Sequence, residues 1–373
     1  MSSKRRLLII AGEVSSDKHG AKLIKEIKNY HDVEITAVGG DMMSCVCDHL
    51  EENIVNKAAV GFLEVVKLIP FFLNLKLRIT RSYFKSRKRI DGLILIDFPG
   101  FNIRVAKAAY KYNIPIFYYI TPQVWAWGKS RIKLLSELCK KMYCVFKFEE
   151  QLFNKSGGNA EFVGHPILED IPGKYNIEDF NNKHGIKNGQ KVLAVMPGSR
   201  EGEVHKNIPI IAKALKKCKW KIIIGKAPGV KKDYIQKYLK NYGITSDIYT
   251  LLKRADAAVV SSGTSTIEAA ILGTPFITIY TVSSISYFIA KLLVNTDFIC
   301  MVNILAGRKI VPELIQHEFT PDKLKKEVDK LIENRKYRNR MTNDLTDVSF
   351  LLGKPGASKK VADSIMQEME KIS

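Results

Sequence analysis

Short apolar runs alternate with helical patterns along the whole chain. The runs are rich in β-branched residues and lie at 7–13, 33–40, 92–100, 114–122, 142–146, 161–166, 191–200, 221–228, 256–264 and 274–281. After several of them, a turn with Gly or Pro leads into apolar residues spaced three and four apart, as at 17–29 and 102–112. Uninterrupted apolar strands that alternate with helices are typical of parallel sheets covered on both faces. The pattern predicts an α/β protein.

One polar segment with Pro, Gly and Asn, at 170–190, interrupts this pattern, and we interpret it as a linker. A chain of 373 residues is longer than one average domain, which agrees with a boundary here. We predict two Rossmann-like domains, at 1–172 and 173–345, whose parallel sheets face each other across a cleft. Residues 346–373 contain an amphipathic stretch, which predicts a closing C-terminal helix. We expect this helix to return toward the N-terminal domain.

The segment at 58–89 departs from the alternation, because it is a long apolar helical pattern that becomes strongly basic. Its apolar positions are Phe62, Val65, Val66, Ile69, Phe72, Leu73 and Leu77. Two interpretations remain open. The segment is either a core helix with a charged end, or an apolar surface with a cationic rim that meets lipid chains and anionic headgroups.

The net charge and the length of the apolar runs limit the kinds of partner that the protein could bind. The 59 Lys and Arg residues exceed the 38 Asp and Glu residues, and the net charge is +21. Such a charge suits phosphorylated ligands, nucleic acid or an anionic membrane, although scattered lysines also fit an ordinary solvated surface. No run reaches the roughly 18 uninterrupted apolar residues of a membrane span, and the N-terminus lacks the pattern of a signal peptide. We therefore expect any membrane contact to be made from the surface.

The sequence lacks the motifs that mark several classes of enzyme and metal site. The six cysteines have neither a C-x-x-C pair nor zinc-ligand spacing, which favours a reduced, cytoplasmic environment and no metal site. There is no P-loop, no G-x-G-x-x-G after the first strand, and no G-x-S-x-G nucleophile elbow. A D-x-D pair that could hold a metal on a diphosphate is also missing from the sequence.

Two strand-to-helix turns in the N-terminal half carry carboxylates. Open α/β sheets bind ligands at the carboxyl ends of their strands, so these turns are the first candidates for a site. Glu13 follows the first predicted strand, and Asp97 ends a wholly apolar one. Desolvation at such a position raises the pKa of a carboxyl group and suits it to accept a proton. The alternative for each is an ordinary helix cap.

Two turns in the C-terminal half have the composition of anion sites. In the first, Ser199 and Arg200 follow an apolar strand, and the Arg fork matches phosphate oxygens. An ordinary turn with an exposed Arg is the alternative. The second, SSGTSTIEA at 261–269, offers several donors at a predicted helix start. Together the two turns predict one nucleoside diphosphate, with its phosphates on backbone amides and its ribose on Glu268.

These stretches resemble the lipid-A-disaccharide synthases, which are glycosyltransferases with the two-Rossmann-domain GT-B fold. The matching motifs are AGEVSSDKHG, AAVGFLEVVK, IDFPGFN, TPQVWAWGKSR, FVGHP, PGSREGEV, SSGTSTIEAA and LVNTDFICMVNILAGRKIVPELIQ. Of these, TPQVWAWGKSR and NILAGRKIVPELIQ are specific to the family, whereas PGSR and SGTSTIE are shared with other GT-B enzymes. The motifs follow the family order through most of the chain.

The resemblance implies a reaction of lipid A biosynthesis in Gram-negative bacteria. UDP-2,3-diacylglucosamine would donate its sugar, with inversion, to 2,3-diacylglucosamine 1-phosphate (lipid X), which forms a β-1,6-linked disaccharide 1-phosphate and UDP. It implies no cofactor, no metal and no nucleic acid, and a peripheral position on the cytoplasmic face of the inner membrane. Whether the protein forms a homodimer is left open. The rival functions are a GT-B transferase or epimerase acting on a soluble UDP-sugar, and a non-catalytic basic binding protein.

The resemblance also assigns roles to residues. Asp97 is the expected base, and Glu13 is the second candidate or a group that positions the acceptor. The expected donor and UDP contacts are Ser199, Arg200, Gly263, Thr264, Ser265, Thr266, Glu268, Asn303 and Gln316. The expected acceptor and lipid contacts are Ser15, Phe62, Val66, Ile69, Phe72, Trp125 and Trp127.

Three positions depart from the family pattern. Ser16 stands where the family has Gly, so the turn would be strained if that position needed a positive φ. Val302 replaces an expected proline. Gly100 stands where some relatives carry a second acid, and its presence here favours Asp97 as the base.

Overall fold

The computed structural model describes residues 4–30, 32–55, 62–86, 89–216, 218–281 and 297–372. The side chains at 62–67, 126, 127 and 129 are not among those described, so the predictions for the side chains of Phe62, Val66 and Trp127 lie outside the described residues. The chain divides into two compact domains, Met1–Glu169 with Leu352–Ser373, and Asp170–Leu351. The sequence placed these boundaries at 172/173 and 345/346.

The first domain is built on a parallel sheet with the strand order β3-β2-β1-β4-β5-β6-β7. Its strands are β1 Arg5–Ala11, β2 Val33–Gly39, β3 His49–Asn53, β4 Gly92–Ile96, β5 Ile116–Tyr119, β6 Lys141–Cys144 and β7 Ala160–Phe162. The central strands are buried apolar runs, as a sheet covered on both faces requires.

Helices cover both faces of this sheet. They are α1 Val14–Ile27, α2 Asp41–Ser44, α3 Phe62–Ile79, α4 Pro99–Tyr110, α5 Val124–Trp127, α6 Lys129–Leu138 and α7 Lys147–Lys155, with single turns at Thr80–Phe84 and Pro166–Glu169. The C-terminal helix Ala357–Glu370 also belongs to this domain, where Val361 and Ile365 share a core cluster with Leu7 and Ile9. The predicted return of the closing helix is therefore confirmed.

The second domain has a parallel sheet with the order β10-β9-β8-β11-β12-β13. Its strands are β8 Val192–Met196, β9 Lys221–Gly225, β10 Gly243–Thr245, β11 Ala257–Ser261, β12 Phe276–Tyr280 and β13 Glu313–Ile315. Its helices are α8 Ile177–His184, α9 Glu201–Leu215, α10 Lys232–Tyr238, α11 Ile248–Arg254, α12 Thr264–Ile271, α13 Met301–Ala306, α14 Pro321–Glu333 and α15 Arg335–Phe350, with one turn at Gln316–Glu318. The prediction of two parallel-sheet α/β domains is confirmed.

The domain boundary lies at the start of the 170–190 segment, as predicted, but the segment itself belongs to the second domain. The segment contains α8, which Asn176 caps through a hydrogen bond from the Asp179 amide to its side chain. Phe180 in this helix is buried in the core of the second domain. The polar composition reflects a surface helix with one apolar anchor rather than a free connection.

The long apolar helix α3 has one buried face and one partly exposed apolar face. On one face Leu75 and Ile79 are buried in the core of the first domain. On another, Ile69, Leu73 and Leu77 are about half exposed, at 49%, 47% and 50%. Because these three positions are four residues apart, they form one stripe along the helix.

Candidate active site

Glu13 and Asp97 lie at the switch point of the first sheet. The chain winds outward in opposite directions from β1 and β4, and these two strands are neighbours with Ala11 opposite Ile96. Glu13 follows β1 and Asp97 follows β4. Since the two strands are parallel, both carboxylates leave the same edge of the sheet, at the place where open α/β sheets bind ligands.

Asp97 has the environment of a proton acceptor. Its side chain is partly buried, and burial, with a smaller contribution from the negative charge of Glu13, raises its pKa to about 7. A hydrogen bond from the Phe98 amide acts in the opposite direction. A carboxyl group with this pKa is half ionised near neutral pH and can take a proton from a hydroxyl group.

The backbone at Asp97 is left-handed. Asp97 and Phe98 have φ values of +46° and +49°, which cost non-glycine residues about 1–3 kcal/mol each. The carbonyl oxygen of Asp97 accepts two partly buried hydrogen bonds, from Tyr118 Oη at 2.7 Å and from Asn102 Nδ2 at 2.8 Å. The Asp97 amide donates to the carbonyl of Tyr119 at 3.2 Å. The turn is therefore hydrogen-bonded both to β5 and to α4.

An aromatic cluster connects α3 to this turn. The ring of Phe72 lies 5.7 Å from that of Phe98 and 5.3 Å from that of Phe101. Phe72, a predicted lipid contact, therefore packs from α3 against the turn that carries Asp97. Ile69, the other described member of that set on α3, faces solvent.

The first turn is compatible with Ser16. Ser16 lies within the right-handed helix α1, is buried, and accepts a hydrogen bond from the Glu13 amide at 3.3 Å. The expected strain is thus avoided. Asp17 is buried as well and accepts from the amides of Gly40 at 2.7 Å and Met42 at 3.0 Å, which ties the first turn to the end of β2. Ser15 is partly exposed on the same helix.

The family-specific stretch TPQVW is anchored by a buried acid. Glu149 at the start of α7 is fully buried and accepts from Trp125 Nε1 at 3.0 Å and Thr121 Oγ1 at 3.2 Å. Burial raises the pKa of Glu149 to about 8, against the opposing effect of these hydrogen bonds. The Trp125 ring packs edge-on against Phe148 at 5.1 Å. Trp125 is therefore fixed through its indole nitrogen.

In the second domain, both predicted anion turns lie at the switch point between β8 and β11, which are neighbours. The turn after β8 requires glycine at Gly198, whose φ is +143° and whose Cβ would lie 2.9 Å from Glu203. Ser199 and Arg200 are exposed, and the Ser199 amide donates to the Glu203 carboxylate at 3.2 Å. Arg200 and Glu203 both act electrostatically on Tyr280 at the end of β12.

In the turn after β11, some of the predicted ligand contacts are exposed, whereas one is hydrogen-bonded within the domain. Gly263, with φ +146°, precedes α12, and it is exposed together with Thr264, while Ser265 is partly exposed. Thr266 is fully buried, and its hydroxyl donates to the Gly263 carbonyl at 2.7 Å. This hydroxyl is therefore used within the first turn of α12, and direct contact of Thr266 with UDP stays a prediction.

Glu268 lies one turn into α12 and is oriented by a tyrosine. It is 8% exposed and accepts from Tyr249 Oη at 3.1 Å. Burial and the Glu268 charge raise the pKa of Tyr249 well above its usual value, so the phenol remains a donor at neutral pH. The carboxylate is held near the switch point of the second sheet.

Asn303 has its hydrogen-bonding capacity used inside the domain. Its fully buried amide nitrogen donates to Val311 O at 3.0 Å and to Glu313 Oε1 at 2.7 Å. Its oxygen accepts from the amides of Ile310 at 2.8 Å and Val311 at 3.0 Å. Because a side-chain amide offers two donors and two acceptor sites, direct contact with a donor substrate would break existing bonds. Direct contact of Asn303 with the donor stays a prediction, and the described bonds hold its side chain inside the second domain.

Unlike the buried Asn303, Gln316 is partly exposed. It directly follows β13, has a left-handed φ of +51°, and is partly exposed at the same sheet edge as the turns after β8 and β11. Its predicted contact with the donor is compatible with this placement. Val302 is buried within α13, where it replaces proline without strain.

Four residues of these surroundings were not predicted: Asn102, Tyr118, Glu149 and Tyr249. Asn102 lies within the IDFPGFN motif, and Glu149 is an acid beside a run of aromatic residues, so both offered a signal. Tyr118 and Tyr249 look like ordinary core tyrosines, because their contacts depend on how neighbouring elements pack.

The described ranges contain neither a metal-binding cluster nor a membrane-spanning helix. No cluster of three or more His, Cys, Asp or Glu side chains there could hold a metal ion. Similarly, none of the helices in the described part of the chain combines the length and apolar content that a membrane span needs.

The family model described as lipid-A-disaccharide synthetase matches residues 7–362. The chain belongs to the lipid-A-disaccharide synthase family. Lipid-A-disaccharide synthase of Syntrophus aciditrophicus is 34% identical, over 97% of both chains. That of Myxococcus xanthus is 30% identical, over 98% of both chains. The protein is accordingly a glycosyltransferase of lipid A biosynthesis.

Solved structures confirm the GT-B fold. UDP-GlcNAc 2-epimerase from Neisseria meningitidis, bound to UDP-GlcNAc, aligns with a TM-score of 0.63 at 15% identity, over 97% of this chain and 100% of its own. MurG of Acinetobacter baumannii aligns with a TM-score of 0.60 at 13% identity, over 97% and 99%. At these identities the likeness concerns architecture alone.

Proposed function

We propose that the protein transfers the diacylglucosaminyl group of UDP-2,3-diacylglucosamine to the 6-hydroxyl of 2,3-diacylglucosamine 1-phosphate. The acceptor oxygen forms a bond to the anomeric carbon while the bond from that carbon to the UDP oxygen breaks. UDP leaves with the electron pair of that bond, and the hydroxyl proton passes to the enzyme. A single displacement of this kind inverts the anomeric centre and gives the β-1,6 linkage.

The placement of Asp97 carries this proposal. It lies at the switch point of the first sheet, and burial together with Glu13 raises its pKa to about 7. A base that titrates near the working pH combines a useful ionised fraction with sufficient proton affinity. Glu13, on the neighbouring strand end, is suited to hydrogen-bond acceptor hydroxyls and keeps the local potential negative.

The second domain supplies groups suited to UDP. Arg200 and the exposed start of α12 at Gly263–Ser265 can meet the diphosphate, because a guanidinium and the amides of a helix N-terminus both favour anions. Glu268, oriented by Tyr249, can accept hydrogen bonds from ribose hydroxyls. The epimerase with the same fold was solved with UDP-GlcNAc, so this architecture is compatible with binding of a UDP-sugar.

We also propose that the reaction proceeds without a divalent cation. Arg200 and helix amides offset the charge that develops on UDP, which is a task that Mg²⁺ performs in many transferases. Full activity in excess EDTA, followed by no gain when Mg²⁺ is restored, is the expected result. Activity that disappears with EDTA and returns with Mg²⁺ would refute this part of the proposal.

The half-exposed stripe Ile69–Leu73–Leu77 of α3 fits contact with acyl chains at the cytoplasmic face of the inner membrane. Arg81 and Lys85 are exposed beyond its C-terminal end and suit anionic headgroups. Arg78 is committed to Glu51 at 2.8 Å and Glu52 at 2.6 Å, so it contributes less. The net charge of +21 adds long-range attraction to an anionic surface.

The direct test is to incubate the purified protein with both lipid substrates and to measure the disaccharide and UDP. Asp97→Asn should lower kcat at least a hundredfold while UDP still binds. Arg200→Ala should weaken UDP binding about tenfold or more, because a charge-assisted bidentate contact is lost. Release of UDP without disaccharide, or epimerised sugar, would reject the transfer reaction.

A further inference from the structure

We propose that Tyr118 and Asn102 are positioning residues that hold Asp97 in its working orientation through its backbone carbonyl. The inference rests on the proposed role of Asp97 as the base. Neither residue touches the Asp97 carboxylate in the hydrogen bonds described above. Both donate to the carbonyl oxygen of that residue, Tyr118 Oη at 2.7 Å and Asn102 Nδ2 at 2.8 Å.

The local backbone needs such support. Asp97 and Phe98 are consecutive non-glycine residues with positive φ, a conformation that L-residues adopt only when their surroundings impose it. Rotation toward a right-handed turn would swing the Asp97 carbonyl away from its two donors. The same rotation would redirect the bond from Cα to Cβ and with it the carboxyl group.

The two donors come from different elements, which makes the hold rigid. Tyr118 belongs to β5, the strand beside β4, and Asn102 belongs to α4, the helix that follows the turn. Asn102 Nδ2 also donates to Ile96 O at 3.2 Å, so it spans the end of the strand. Both side chains are fully buried, where water cannot replace a lost partner.

The hydroxyl of Tyr118 is a permanent donor. Burial first, and then the charge of Asp97, raises the pKa of Tyr118 well above its usual value. The phenol therefore stays protonated through the pH range in which Asp97 titrates. Because its hydrogen bond ends on a carbonyl oxygen, it cannot relay the substrate proton, which separates a positioning role from a catalytic one.

Tyr118→Phe removes one hydroxyl and leaves the ring. We expect kcat to fall about 10- to 100-fold, since small misplacements of a reacting group have effects of this size. The KM for the UDP-sugar should stay within about twofold, because its proposed contacts are in the second domain. Loss of the restraint lets water reach Asp97, so the acidic limb of the pH profile of kcat/KM should move to lower pH.

Tyr143→Phe is the matched control. Tyr143 is also fully buried in the first sheet, on β6, but its hydroxyl donates to Ser364 Oγ at 3.1 Å on the C-terminal helix. This variant should lose comparable thermal stability and keep kcat and the pH profile. If Tyr118→Phe behaves like Tyr143→Phe, the inference is overturned.

Asn102→Ala removes the other donor and should change the same kinetic parameters. In an Asp97→Asn background, Tyr118→Phe should have no further effect on the residual rate, because its influence acts through the base. An equal loss in both backgrounds would contradict the inference. If Asp97→Asn itself keeps full activity, the assignment of Asp97 as the base fails. If the wild type forms no disaccharide, the proposed function fails, so these failures are distinguishable from that of the inference.

Discussion

The ring of Phe98 lies directly against Gly12, so that a Cβ on Gly12 would overlap its ring carbons. Gly12 comes just after β1, and Phe98 comes just after Asp97 at the end of β4. The contact allows the two turns that carry Glu13 and Asp97 to approach each other. Glycine is needed here for close approach rather than for a positive φ.

Gly12→Ala should therefore push the Phe98 turn outward. Overpacking of this kind costs about 1–3 kcal/mol, and the displacement of Asp97 should lower kcat about tenfold or more. Gly100→Ala is the control, because a Cβ there meets nothing within 4 Å and Gly100 lies in the first turn of α4. Gly12→Ala should lower both the Tm and kcat. Gly100→Ala should keep kcat and should not lower the Tm, because alanine is favoured over glycine within a helix.

Glu13 should tune the pH dependence of the reaction. The acidic limb of kcat/KM is expected near pH 7, because burial and the Glu13 charge raise the pKa of Asp97 to about 7. Glu13→Gln removes the second of these causes, so the limb should move to lower pH while burial keeps it above the ordinary range of a carboxyl. Glu137→Gln, at an exposed position of α6, should leave the profile unchanged. An unmoved limb in Glu13→Gln would show that the two carboxylates do not interact.

The sequence predicted the central strands and missed three: β3, β10 and β13. All three are edge strands. An edge strand has one neighbour instead of two and carries less buried surface, so β3, with the sequence HLEEN, has no apolar run that could identify it. The strands that carry Glu13, Asp97, Arg200 and Gly263 are central, which is why the sequence placed those turns correctly at strand ends.

The side chains within the candidate site were harder to predict than its location. Thr266 and Asn303 belong to motifs that suggest ligand contact, yet their polar atoms are used within the domain. Which donor is consumed depends on the position of a partner such as Glu313, and local sequence does not contain that information. The left-handed turn at Asp97 could not be predicted from the sequence either. Tertiary hydrogen bonds impose it, although non-glycine residues disfavour a positive φ.

Tyr249→Phe should weaken donor binding through Glu268. Loss of one hydrogen bond to a carboxylate corresponds to about 1 kcal/mol, or roughly fivefold in affinity for UDP. The penalty should be smaller for 2′-deoxy-UDP, which lacks one of the hydroxyl groups that Glu268 could bind. Tyr242→Phe is the control, since the Tyr242 hydroxyl donates to Leu215 O at 3.2 Å in the same domain. Equal penalties for both nucleotides would exclude ribose recognition by Glu268.

Glu149 should make thermal stability depend on pH. Its pKa is raised by burial from 4.5 to about 8, so its neutral form stabilises the fold fully below the unfolded pKa. That stabilisation is lost as pH rises through about 8, at up to about 1.4 kcal/mol per pH unit. Glu149→Gln lacks this dependence, and the Tm difference, wild type minus variant, should fall between pH 5.5 and 8.5.

The neighbouring Glu150 provides the control for that measurement. Although burial raises its pKa, hydrogen bonds from Lys147 and the Phe162 amide lower it below its ordinary value. Its contribution is therefore lost only as pH falls into the acidic range, and it is constant between pH 5.5 and 8.5. A Tm difference for Glu150→Gln that is flat, beside a sloping one for Glu149→Gln, is the expected result. Two flat differences would show that Glu149 is ionised in the fold.

The stripe on α3 should determine membrane affinity. Ile69, Leu73 and Leu77 are each about half exposed, and completing the burial of one such side chain is worth about 1 kcal/mol. Replacing all three with Ser should weaken co-sedimentation with anionic phospholipid vesicles about a hundredfold, with little change in Tm because the stripe faces solvent. Phe350→Ser is the control, since Phe350 is 75% exposed in the second domain and lies outside the stripe. Vesicle binding that falls with salt but is equal in the two variants would assign attachment to the basic surface instead of the apolar stripe.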